Sequence, residues 1–230
     1  ADLAAQVAAN NTGIVEINSM IEQFGIETVH SYMNHVQDNA EECIRNVIVN
    51  LREGKYEYEL DNGEFIRVKI TIDKIKREAT IDFTGTAPKN PFNYNAPMAV
   101  CHAVILYVFR TLVGSNIPLN EGCFKPLNIV VPNNAMINAK YPSAVIAGNT
   151  EVSQLTCNAL FGALGIIAGS QATMNNFIWG NDKIQNYETI CGGTGAGPNF
   201  HGTSAVQTHM TNTRSTDPEI LEARFPVRLE

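Results

Sequence analysis

Charge is the first thing this sequence lacks. Only 17% of its residues are Asp, Glu, Lys or Arg, against roughly a quarter in ordinary soluble domains. The charge that exists is acidic, 23 residues against 16, for a net −7. A chain of that sign is a poor partner for nucleic acid, which needs a concentrated positive field. Cysteine pairing is also missing. Cys43, Cys101, Cys123, Cys157 and Cys191 are odd in number and widely spaced. Without a CxxC pair there is no zinc ribbon and no thioredoxin-like site. Reduced thiols in a cytoplasm are the simplest reading. The longest apolar run, Ala96 to Val113, is broken by His102 and Arg110, so it reads as a buried helix and not as a membrane span. The first residues do not have the pattern of a secretory leader.

What is present is 44% apolar residues in 230, enough for one sizeable core. Asparagine is over-used, with 25 copies, so amides and hydroxyls do much of the work that ions do elsewhere. The scarcity of charge is local: Asn90 to Asn181 holds only Arg110, Glu121, Lys125, Lys140 and Glu151. That stretch should face other protein, in its own core or in a partner. The ends of the sequence, Ala1 and Val227 to Glu230, lead us to expect a piece of something larger.

The periodicities predict an α+β fold in three segments: a helical hairpin over 1–54, a small antiparallel β-meander over 55–84, and an α+β core over 85–230 with long buried helices on mixed or antiparallel strands. Residues 3–24 read as an Ala-rich helix ending before Gly25. Val29, Met33, Val36, Ala40, Cys43, Val47 and Leu51 lay one apolar stripe along a second helix. Alternation then predicts strands at 56–60, 65–72 and 79–83, with Asn62-Gly63 as a tight turn. A helix is expected over 97–113, a buried strand over 127–131, and a helix from an Asn149 or Thr150 cap to about Ala168. Strands are expected at 173–179, 184–191 and 204–210. Asp217-Pro218 should open a last short helix.

Three places could carry chemistry. Gly192 to Gly197 holds four glycines in six residues after a strand, but no helix pattern follows and no dinucleotide or P-loop spacing is present. It could be a structural loop, a cavity wall or a nucleotide cradle. His201, His209, Thr211, Asn212, Thr213, Arg214, Asp217 and Glu219 crowd the end of the chain. A His beside an amide, an Arg and acids offers a proton shuttle and a carboxylate-binding fork. The same residues could equally tie down loops and cap a helix. The amide-rich face of the second helix suits a buried polar network, and His30 and His35 are badly spaced for one metal. No GxSxG elbow or HExxH helix occurs.

The stretch ETICGGTGAGPNFHGTSAVQTHMTNTRSTDPEILEARFPVRLE, from Glu188 to Glu230, closely resembles the hydantoinase B / oxoprolinase family. So do IPLNEGCFKPLNIVVP (117–132), AGNTEVSQ (147–154), QATMNN (171–176) and DFTGTAP (82–88). The opening DLAAQVAANNTG resembles the helix that follows the family's N-terminal domain. The resemblance implies a B subunit, or C-terminal half, of an ATP-dependent enzyme that opens cyclic amides such as 5-oxoproline or N-methylhydantoin. A companion A-type subunit or domain would bind ATP and phosphorylate the substrate carbonyl, making a poor electrophile a good one. The large subunits of acetone and acetophenone carboxylases are the alternative, and a non-catalytic scaffold segment is a third reading.

The family's N-terminal GD…NDP…G-x-H-x-x-D region, which the resemblance marks as the place of its metal-ligand His and Asp, has no counterpart in these residues. Its Gly-rich C-terminal region has none either. ATP and a divalent metal are therefore expected in the complete enzyme, with no cofactor and no metal held by this chain alone. The resemblance matches His209 to Asp217, Glu188 and the Gly192–Gly197 loop without transferring roles; on the chemistry of these residues, His209, Asp217 and Glu188 are expected to serve catalysis. Arg214, Asn212, Gly193, Gly195 and Gly197 would bind substrate. The implied partners are the A-type chain, a small cyclic amide and further copies in an oligomer, with no nucleic acid and no membrane.

Overall fold

A computed structural model describes residues 1–211 and 213–230. The elements run α1 (Asp2–Phe24), α2 (Ile26–Ile48), β1 (Gly54–Glu59), β2 (Phe65–Asp73), β3 (Glu78–Asp82), α3 (Met98–Thr111), β4 (Leu127–Val130), α4 (Ser153–Leu164), β5 (Asn175–Gly180), β6 (Gln185–Ile190) and α5 (Pro218–Arg224). The mixed α+β expectation is met.

The period-two segments become strands because one face of each has a core to meet. In β2, Ile66, Val68 and Ile70 are buried while Phe65, Arg67 and Lys69 turn outward. β1 pairs antiparallel with β2, placing Tyr58 opposite Ile66, and β2 pairs antiparallel with β3. β4 then adds to β3 in parallel, with Ala79 opposite Leu127 and Ile81 opposite Ile129. The expected meander is thus three strands of a four-stranded mixed sheet, closed through α3, because a parallel neighbour needs a long crossover. Segments 55–84 and 85–230 share one core, which also takes Ala40, Ile44 and Ile48 of α2.

α4 explains much of the missing charge. Every residue from Ser153 to Phe161 is buried. Its hydroxyls are answered within the helix: Ser153 Oγ donates to Asn149 O at 3.0 Å and Thr156 Oγ1 to Val152 O at 2.7 Å. α4 lies on β1 and β2 and beside α3. The approach is closest at Gly54, where a Cβ would fall 1.9 Å from Ala163 O, so only glycine fits. The same charge-poor stretch also leaves Phe92, Leu119, Tyr141 and Ile146 exposed.

Three local expectations differ from the structure. α1 has no buried residue, so the two N-terminal helices do not pack along their length as a hairpin. α4 is not opened by an Asn149 or Thr150 side chain; a π-helical turn over Gly148–Val152 leads into it. Residues 204–210 are not a strand. Ser204 makes a single bridge to Gly193, while Ala205 and His209 adopt positive φ, which breaks an extended run.

Cys101, Cys123 and Cys157 are buried, and Cys43 and Cys191 are partly exposed. Burial pushes the Cys101 thiol up to about 12 and raises Cys157 as well. A thiol reagent at pH 8 should therefore label Cys43 and Cys191 in the folded protein and reach the other three only after unfolding. Rapid native release from all five would contradict this packing. No helix among the described residues is long and apolar enough to cross a membrane.

Candidate functional site

Residues 205–211 and 213–217 are not paired as a strand, and Met210 packs against the core. Gln154, buried in α4, holds the first of these stretches. Its Oε1 accepts from Met210 N at 3.2 Å, while Nε2 donates to Thr208 O at 3.4 Å and to Thr211 Oγ1. β6 holds the other side. Gln207 Nε2 donates to Thr189 O at 3.3 Å, and Thr216 N donates to Glu188 Oε2 at 2.9 Å.

These ties press His209 against the helices. Its ring lies 5.2 Å from the Phe161 ring and 5.9 Å from that of Tyr107, edge to face. Nδ1 is 3.3 Å from the Tyr107 hydroxyl. Nε2 is buried with no hydrogen-bond partner among the described residues. Burial holds His209 below the usual imidazole range and raises the Tyr107 phenol, so both stay neutral near pH 7. A neutral imidazole with one nitrogen fixed by a phenol and the other uncommitted is a competent proton donor or acceptor.

That depressed pKa has a consequence for stability. An unfolded His titrates near 6.5. As pH falls below that value, the unfolded state takes a proton that folded His209 refuses. The stability present at pH 7 is therefore lost progressively as pH drops toward the folded pKa. Urea midpoints should fall between pH 7 and pH 5, and His209→Asn should flatten that part of the profile. An equal slope in the variant would remove His209 as the cause.

The other expected site residues are dispersed. Glu188 is engaged by the Thr216 backbone. Asp217 caps α5, its Oδ1 accepting from Glu219 N at 3.0 Å. Arg214 is exposed, in no ion pair among the described residues. Asn212 lies outside the described residues. Among the described residues no hydrogen bond or ion pair joins His209, Glu188 and Asp217 to one another.

The glycine loop spends its backbone on the protein itself. Thr194 N donates to Thr203 O at 2.9 Å and Gly197 N to Phe200 O at 3.1 Å. A Cβ on Gly195 would lie 1.9 Å from Ala168 O. Those bonds do not fit a phosphate cradle, which needs free N–H groups converging on the ligand. Gly197 does border a cavity of about 300 Å³, with Tyr56, Gly162, Ile166, Ala196 and Pro198. A larger cavity of about 730 Å³ lies between Tyr58, Asp61, Phe92, Tyr94 and Glu151. Glu151 there accepts from Thr173 Oγ1 at 2.6 Å. Among the described residues no three His, Cys, Asp or Glu converge as a metal site would require.

Sequence reasoning missed Tyr107, Gln154 and Phe161. A glutamine inside a helix without any charged residue was the available signal for Gln154. The two aromatic residues read simply as core.

The family model for hydantoinase B/oxoprolinase matches residues 1–230. The chain belongs to that family. 5-oxoprolinase 1 of Arabidopsis thaliana is 45% identical over 99% of the chain, which corresponds to 19% of that relative. The chain thus spans about a fifth of the length of the first curated relatives it matches. Among known structures, the ATP-dependent caprolactamase of Pseudomonas jessenii superposes with a TM-score of 0.78 at 20% identity, covering 99% of this chain and 43% of that one. An acetone carboxylase in nucleotide-free form gives 0.69 at 14% identity, over 90% of this chain and 32% of that one. At such identities these two establish a shared fold.

Proposed function

We propose that this chain is part of an ATP-dependent enzyme that hydrolyses a cyclic amide, 5-oxoproline or a hydantoin, together with an A-type ATP-binding subunit or domain. The observation that carries the reading is the 45% identity to a 5-oxoprolinase over 99% of the chain. The caprolactamase likeness supports the same class, since a lactam is a cyclic amide. ATP and a divalent metal belong to the complete enzyme. No step is routed through either of them here.

The part assigned to this chain is proton handling and substrate orientation. Neutral His209 takes a proton from the attacking water and passes it to the departing nitrogen as the ring C–N bond breaks. Tyr107 fixes its tautomer, and the exposed Arg214 fork takes the carboxylate of 5-oxoproline, a group that hydantoin lacks. Glu188 and Asp217 act by holding the Thr213–Asp217 turn that carries Arg214. The same reading puts the enzyme in a cytoplasm, where five unpaired thiols stay reduced.

The complete enzyme, incubated with ATP and each of 5-oxoproline, N-methylhydantoin and acetone plus bicarbonate, should release ADP and a ring-opened amino acid with one of the first two. Carboxylation of acetone with no ring opening would overturn the assignment in favour of the ketone carboxylase.

A further inference from the structure

α1 is a long helix that buries nothing. Its apolar residues are nevertheless ordered. Leu3, Val7, Ile14, Ile17, Ile21 and Phe24, with Asn10 between them, follow alternating steps of four and three. That is the spacing of a coiled-coil seam, including a single polar position. Leu3 is 77% exposed, Val7 and Ile14 59% each, and Phe24 54%. Where α1 meets α2, Met20 and Phe24 stand across from Val29, Tyr32, Met33 and Val36 around an apolar groove of about 740 Å³. An unpacked helix draws little stability from propensity alone, because most helical stability in proteins comes from packing an apolar face. A contiguous apolar strip of this length marks an interface.

Charge says which occupant fits. Residues 1–44 contain seven Asp or Glu and no Lys or Arg. Three of those acids are answered by the body of the protein: Glu41 by Arg45, Glu42 by Arg77 and Asp38 by Lys125. Asp2, Glu16, Glu22 and Glu27, all on α1 or the first turn of α2, enter no ion pair among the described residues. A second copy would bring the same acids to the same surface and repel. We propose that α1 and its groove with α2 dock a basic amphipathic helix from outside these 230 residues, one with apolar residues at four–three spacing flanked by Lys or Arg.

The test uses the 230-residue chain and two labelled synthetic heptad peptides. One has leucine at the seam positions and lysine around them; the other has glutamate in place of lysine. Anisotropy titration should show the leucine–lysine peptide binding at least tenfold more tightly. Ile14→Gln with Ile17→Gln, both exposed and still helix-forming, should weaken that binding at least tenfold while leaving net charge and unfolding midpoint unchanged. Equal affinity for the two peptides, or indifference to the double variant, would overturn the proposal. So would sedimentation of the chain alone as a dimer that the double variant dissolves, or tighter binding to anionic lipid vesicles than to the peptide.

Discussion

Asn95→Leu is expected to lower the melting temperature by about 10 °C. Asn95 is fully buried beneath the Asn90–Tyr94 loop. Its Nδ2 donates to Asn90 O at 3.0 Å, Phe92 O at 2.8 Å and Ala144 O at 3.0 Å, and its Oδ1 accepts from Asn90 N at 2.9 Å. One amide thus engages four backbone groups from two segments of chain, its two N–H hydrogens shared among three carbonyls. Leucine matches its branching, is bulkier, and makes none of its bonds. Each orphaned group costs about 1–3 kcal/mol, and partial rescue by water leaves a loss of about 3–5 kcal/mol. A domain of this size loses about 2–4 °C per kcal/mol. Asn95→Asp is the instructive companion: its carboxylate would face three carbonyl oxygens, so its damage should be greater at pH 7 than at pH 4, where it is protonated. A midpoint within 1 °C of wild type for both variants would show that the loop holds by other means.

The second large effect is on turnover. In the complete enzyme with its partner, His209→Ala should lower kcat by roughly 10²–10⁴-fold, the usual contribution of a positioned proton donor or acceptor. Alanine also removes a side chain packed on Phe161 and Tyr107, so a stability loss accompanies it. His209→Asn separates the two causes. Asparagine tolerates the φ of 54° found here and can keep one hydrogen bond, yet it cannot carry a proton. A slow but stable Asn variant is the expected outcome. An Asn variant with wild-type kcat would make His209 a structural residue, and Arg214 would have to be tested alone.

The elements set by local pattern were legible. β2 and β3 alternate cleanly because one face of each is buried, β2 against α4 and β3 against α2. Asp217-Pro218 opens α5 as a capping residue followed by proline should. What the pattern could not show depends on distant chain. β4 joins β3 in parallel only because α3 brings it there. The 204–210 segment alternates like a strand, but Gln154 captures its backbone groups and no neighbouring strand is offered. α1 has the periodicity of a packed helix while its partner lies elsewhere. At the site, His209, Glu188 and Arg214 were visible as residue types. Whether they meet is decided by β6 and α4, which no spacing within 188–217 encodes.

The parallel pairing of β4 also fixes an order of events during synthesis. The strands from Gly54 to Asp82 can form their hairpins as soon as they leave the ribosome. β3 then waits with an open edge until α3 and Leu127 have been made. Through that interval the apolar residues Ala79 and Ile81 and a row of free backbone groups face whatever is near. Slowing translation between Phe83 and Leu127 prolongs the exposure, so the yield of folded protein should depend more on codon choice there than within β1 to β3.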